Sequence, residues 1–146
     1  MCIRDSRKGL HAPVKLDGAE LADWQIFNLP LDDKMLARLK FSDAKMDSNQ
    51  PAFWRAIVNI EKPGDTFLDL RPWGKGVVWV NGHCLGRFWN IGPTQTMYVP
   101  GPWLKRGKNE IVILDLTGPE KPVVAALDHP ILDELHPEYD FSKNEN

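Results

Sequence analysis

Arg71-Pro-Trp-Gly-Lys-Gly-Val-Val-Trp-Val-Asn-Gly-His-Cys-Leu-Gly-Arg-Phe-Trp89 is the stretch that decides the fold of this chain. Gly76 to Val80 is a short apolar run rich in β-branched and aromatic residues, which favours a strand. Asn81-Gly82 follows, and this dipeptide accepts positive φ at both central positions of a tight hairpin turn. His83 to Trp89 then runs back as the second strand. A two-residue turn pairs Val80 with His83, Trp79 with Cys84 and Val78 with Leu85. One face of the ribbon then carries Val78, Val80 and Leu85, and the other carries Val77, Trp79, Cys84 and Phe88. Both faces are apolar, whereas an antiparallel sheet open to water keeps one face polar, so each side needs a cover.

Outward from the hairpin, turn signals recur at close intervals. Val14 to Leu16 reads as a strand before the Asp17-Gly18 turn, and Trp24 to Leu29 as the next, ended by Pro30. Asp32 or Asp33 caps a short helical turn with Met35, Leu36 and Leu39 on one side. Ser42 to Gln50 is a polar loop. In Pro51 to Glu61 the residues Ala52, Trp54, Ala56, Val58 and Ile60 form an unbroken apolar face. Thr66 to Leu70, Thr96 to Val99, Glu110 to Leu116 and Val123 to Leu127 read as further strands, and Trp103-Leu104 as a core plug. The expectation is an all-β sandwich of about eight to ten short strands with one short helical turn. No strand–helix alternation and no internal repeat is present, which disfavours a Rossmann or barrel layout.

The composition agrees. At 146 residues the chain is long enough to bury its own core, and its 12 prolines and 11 glycines suit short strands and turns. A net charge of -2 without a basic block gives no reason to expect a nucleic-acid partner. No apolar stretch is long enough to cross a membrane as a helix. Cys2 and Cys84 lie in a tail and in mid-strand, so no structural disulfide is expected and the redox compartment stays open. Met1 to Arg7 is polar and lacks the apolar centre of a signal peptide. Residues 1–9 read as a non-native tail, 10–128 as the sandwich, and 129–146 as a polar C-terminal arm or tail.

Two stretches carry a family resemblance: Trp73-Gly-Lys-Gly-Val-Val-Trp-Val-Asn-Gly82 with Leu85-Gly-Arg-Phe-Trp-Asn-Ile-Gly-Pro93, and Tyr98-Val-Pro-Gly-Pro-Trp-Leu-Lys-Arg-Gly-Lys-Asn-Glu-Ile-Val112. They resemble the C-terminal galactose-binding-like jelly-roll β-sandwich of family 35 glycoside hydrolases, the β-galactosidases. The resemblance runs from about His11 to Leu135. It implies a parent enzyme that hydrolyses terminal β-galactosyl bonds with two glutamates on a TIM barrel, and a member of that family should begin far upstream of Met1. Bacterial relatives of this type are often periplasmic or secreted. A retaining mechanism needs two carboxyls roughly 5 Å apart, and a barrel needs about 250 residues. This chain has no room for one, so no catalytic residue is carried over. Glu110, Asp115, Asp133 and Glu134 are read as turn and surface charges.

His11, His83, His129 and His136 are widely spread and no Cys-x2-Cys spacing exists, so no metal or cofactor is expected. Sugar recognition needs aromatic faces and planar polar groups. Arg71, Trp73 and Lys75 precede one hairpin strand, Arg87, Trp89 and Asn90 end its partner, and Asn81 sits in the turn. The residues before and after the two strands should lie at the same end of the pair, and together with Asn81 these seven form the candidate carbohydrate site. The competing structural reading has the tryptophans packed, Arg87 along the sheet and Asn81 as a turn residue. Val77, Trp79 and Phe88, on the second face, are the expected docking surface for the absent catalytic barrel. The expected partners are that barrel and galactosides. The resulting reading is a non-catalytic domain that supports a β-galactosidase, with a free-standing carbohydrate-binding module or lectin as the alternative.

Overall fold

A computed structural model describes residues 12–28, 30–42, 50–92, 95–119 and 121–132. The chain divides into two compact units, 1–32 and 33–146.

In the first unit, β1 (Lys15–Leu16) and β2 (Ala19–Glu20) pair antiparallel across a turn in which Asp17 and Gly18 both take positive φ. Leu21 N–H donates to the Val14 carbonyl at 2.9 Å and extends the ribbon by one bond. The strand expected from Trp24 onward does not form among the described residues. Asp23 takes a φ of 57°, and Trp24 turns its indole N–H back to the Leu21 carbonyl. Apolar alternation marks a surface that suits a sheet but supplies no neighbouring strand to pair with. Ile26 and Phe27 are accordingly exposed.

The second unit holds the sandwich. The helical turn forms as expected, as α1 (Asp33–Leu36). A four-stranded antiparallel sheet follows in the order β3 (Ala52–Ile60), β8 (Gly107–Asp115), β5 (Lys75–Val80), β6 (His83–Trp89). A three-stranded sheet has the order β7 (Thr96–Val99), β4 (Thr66–Asp69), β9 (Ala125–Leu127). The two sheets enclose Leu68 and Val99 from one side and Val78, Val80, Phe88, Ile111 and Ile113 from the other. The nine strands among the described residues fall within the expected number.

Two amide side chains organise the turn end of the hairpin. Asn81 and Gly82 take φ of 48° and 84°, the positive values that a two-residue type I′ turn requires. Asn81 Nδ2 donates to the Trp103 carbonyl at 2.7 Å and to Asn109 Oδ1 at 2.8 Å, while its Oδ1 accepts from Glu110 N–H at 2.9 Å. Asn109 is buried, and its own amide binds the Lys105 backbone twice and the Gly107 carbonyl. Every side-chain donor and acceptor of Asn109 is therefore filled. Trp103 stacks on His83 at 4.6 Å and is half-buried, so of the expected plug it is Leu104 that packs on the core.

At the other end, the segment after β9 is pinned to β7. The Thr96 hydroxyl accepts from Ile131 N–H at 3.0 Å and donates to the Ile131 carbonyl at 3.3 Å, and Ile131 is buried. The arm therefore docks at least as far as Ile131. Its residues from Asp133 on, with Glu134 and His136, lie outside the described residues, as do Cys2 and His11.

Asp69 couples the end of β4 to pH. Arg71 donates to its carboxylate through Nε at 2.9 Å, Nη2 at 2.8 Å and the backbone N–H at 3.1 Å. The Arg71 side-chain bond is the main cause that holds the Asp69 carboxyl below its usual range, against the opposing effect of burial. A depressed carboxylate stabilises the fold above its unfolded pKa of about 4, and that contribution disappears as pH falls through the lower folded value. Melting curves across acid pH should therefore show the native chain losing stability below about pH 4. The Asp69→Asn variant should be less stable at neutral pH and lose less on acidification. Parallel curves for the two proteins would exclude this role.

Candidate functional site

A single extra residue in β6 sets which side chains the hairpin presents. Val80 faces His83 and Trp79 faces Cys84, as the two-residue turn dictates. The register then shifts, and Val78 faces Gly86 rather than Leu85. Gly86 takes a φ of 115°, a conformation that side-chain-bearing residues rarely adopt, so this glycine marks a β-bulge. Beyond it Val77 faces Arg87, Gly76 faces Phe88 and Lys75 faces Trp89.

Because the side-chain period of a strand is two, a one-residue shift exchanges the faces. Phe88, expected on the outer face, points inward and is 3% exposed within the core cluster. Arg87 and Trp89 turn outward beside Lys75 and Val77. The expected docking trio is corrected accordingly. Phe88 is core, and Val77 is half-buried. Trp79 does lie on the outer face, but it is only 2% exposed. It shares a cross-strand row with Val112 and Arg55, and Phe53 lies 6.4 Å from its ring. Arg55 in turn sits 4.5 Å over the Phe41 ring, and Asp33 approaches the hairpin turn near Gly82. The segment carrying α1 thus reaches this face at Arg55 and at the hairpin turn.

An open groove of about 450 Å³ remains at the strand ends. Lys75, Arg87 and Trp89 supply its polar side-chain atoms. Val77, Phe88 and Leu116 line it with apolar surface, and Gly76 and Gly92 complete the wall. Leu116 is positioned by its N–H, which donates to the Lys75 carbonyl at 2.8 Å. The Lys75 ammonium stands 4.2 Å from the centre of the Trp89 ring, a cation–π contact that fixes both groups. Trp89 and Leu116 remain 44% and 45% exposed.

Of the seven residues expected to meet sugar, the structure brings three together: Lys75, Arg87 and Trp89. Asn90 adjoins them, exposed, with its backbone N–H donating to Gly74 at 2.8 Å, but it does not line the groove. The other three serve the fold. Arg71 clamps Asp69. Trp73 is buried, stands edge-on to Trp54 at 5.9 Å and donates its indole N–H to the Val123 carbonyl at 2.9 Å. Asn81 is committed to the amide network at the opposite end of the hairpin. Leu116 and the bulge were missed by sequence reasoning. Gly86 inside an apolar strand is the signal that marks the bulge.

Among the described residues no carboxylate lines the groove, so these residues offer no acid/base pair of the kind that glycoside hydrolysis uses. Glu110 pairs loosely with Arg55 at 3.9 Å. Asp115, expected to be a surface charge, is instead fully buried and accepts four hydrogen bonds. Among the described residues no cluster of three or more potential metal ligands occurs.

The comparisons with known proteins bear on the sandwich as a whole. The family described as "Beta-galactosidase, galactose-binding domain" matches residues 51–109, from the start of β3 into β8. Beta-galactosidase-1-like protein 2 of Homo sapiens is 40% identical over 119 residues, 79% of this chain and 19% of that protein. Beta-galactosidase 1 of Dictyostelium discoideum is 37% identical over 118 residues, 76% of this chain and 18% of that protein. Beta-galactosidase of Xanthomonas manihotis is 44% identical over 97 residues, 66% and 16% respectively. The chain thus spans about a fifth of the length of the curated relatives it matches. Residues 51–109, which match the galactose-binding domain of β-galactosidases, lie within the β-sandwich.

Proposed function

We propose that this chain is a non-catalytic sandwich of a family 35 β-galactosidase, which supports a barrel that hydrolyses terminal β-D-galactosyl residues and contacts carbohydrate through the Lys75–Arg87–Trp89 groove. The observation that carries the reading is the pairing of two facts. The relatives are named β-galactosidases yet are matched over only about a fifth of their length, and the groove that gathers Lys75, Arg87 and Trp89 is lined by no carboxylate among the described residues. A domain of this kind binds or braces and leaves bond cleavage to the rest of its polypeptide. The purified chain, assayed on a chromogenic β-galactoside, should show no turnover. Hydrolysis that follows the folded chain through successive purification steps would refute the proposal.

A second reading, a free-standing carbohydrate-binding module, draws on the closure of the core. Trp79 and Phe88 are sealed within the chain, so the sandwich has the interior that an independent module needs. Both readings place carbohydrate at the same groove.

A further inference from the structure

The groove has one chemical bias. Among the described residues its side-chain polar groups are the Lys75 ammonium, the Arg87 guanidinium and the Trp89 indole N–H, and all three are hydrogen-bond donors without acceptor capacity. No Asp, Glu, Asn or Gln among the described residues lines it. A neutral sugar presents hydroxyls that donate as well as accept, and here their protons would find no side-chain acceptor. The Lys75 ammonium also occupies one face of the Trp89 indole, so that face is closed to a sugar ring. Among the described residues, no carboxylate lies within ion-pair distance of Lys75 or Arg87. Two cations without a carboxylate partner among the described residues therefore share one sheet face two positions apart, Lys75 opposite Trp89 and Arg87 opposite Val77.

We infer that this groove takes an anionic saccharide, a pyranose bearing a carboxylate or a sulfate. The anion lies between the Lys75 ammonium and the Arg87 guanidinium, where both hydrogen bonds are charge-assisted. The C–H face of the ring lies against Val77 and Leu116. The inference rests on the reading that this groove meets carbohydrate, and it narrows the ligand to the acidic class. The cation–π contact contributes by holding the ammonium in place before the ligand arrives, which lowers the ordering cost of binding.

The test is a titration of the 146-residue chain with D-galacturonic acid, galactose 6-sulfate, D-galactose and sodium sulfate, followed by the NMR shifts of Lys75, Arg87 and Trp89. At least one acidic sugar should bind about tenfold more tightly than galactose and weaken as salt is added. That preference should vanish in Arg87→Gln, an exposed position whose replacement leaves the melting temperature unchanged. The carboxylate and sulfate arms show which anion is taken. Equal affinity for galactose and both acidic sugars would overturn the inference while leaving carbohydrate contact standing. Sulfate alone binding as tightly as the acidic sugars would overturn it in favour of a simple anion site. No response to any sugar would overturn both the inference and the reading beneath it.

Discussion

Replacing Asp115 with Ala should lower the stability of the chain by about 3 kcal/mol, a fall of roughly 10 °C in melting temperature. This carboxylate is 0% exposed. Its Oδ2 accepts from Gly74 N–H at 2.8 Å, across 41 residues of chain. Its Oδ1 accepts from Thr117 N–H at 2.8 Å, Gly118 N–H at 2.9 Å and the Thr117 hydroxyl at 3.2 Å. Hydrogen bonds to a charged acceptor contribute roughly 1.5–3 kcal/mol each, and the sum is discounted because Thr117 reaches water when released. The residue ties the end of β8 to the entrance of β5, so its loss also loosens the groove beside Leu116. Asp115→Asn keeps the shape but turns a donor toward donors, and it should fall between Ala and the native residue. Thermal denaturation of the three proteins checks this. Melting temperatures within a degree or so of each other would mean that the carboxylate does not bridge these strands.

Trp79→Ala carries the other large effect. Removing a buried tryptophan leaves a cavity, at a cost of about 3–5 kcal/mol. Trp79 is 2% exposed within this chain, with Phe53 beside its ring, so the loss should appear in the isolated chain by urea or thermal unfolding. A tryptophan reserved for another domain would give a different result. Its replacement would change stability by no more than about 0.5 kcal/mol in the isolated chain, as at other surface positions. The experiment thus separates a self-covered outer face from an interface that waits for a partner.

The contrast between these two residues shows what the sequence discloses. Alternation alone puts Asp115 on the same face as Ile111 and Ile113, and the register agrees. Its residue type argued for the surface, because the donors that satisfy it include a backbone group 41 residues away, which no local pattern records. Trp79 was placed on the correct face of β5, but its burial involves Phe53 and the cross-strand row of Val112 and Arg55, long-range neighbours that no local pattern records. The strands themselves were legible wherever alternation met turn chemistry. Asn81-Gly82 gave the hairpin, and Ala52 to Ile60 gave the edge strand β3. Trp24 onward had the alternation without a partner strand among the described residues, and it formed no ladder.

The candidate site was half legible for a related reason. The ends of two paired strands must lie together, which brings Lys75 to Trp89 whatever the register does by one place. Arg71 and Trp73 lie outside the ladder, and their partners, Asp69 and the Val123 carbonyl, took them into the fold. The bulge was the missing piece. His83 to Trp89 is apolar and charged in a sequence that either register accommodates, and only Gly86 marks the place where the extra residue enters. Without the bulge, Arg87 and Trp89 would face the core and Phe88 the solvent.

The whole account therefore depends on the pairing of the last residues of β6. Cross-strand backbone NOEs in the isotope-labelled chain measure it directly. The account predicts contacts from Lys75 to Trp89 and from Gly76 to Phe88, with the Phe88 ring close to the Val78 methyl groups. Contacts from Lys75 to Phe88 and from Gly76 to Arg87 would show an unbulged hairpin, bury the groove residues and contradict the account.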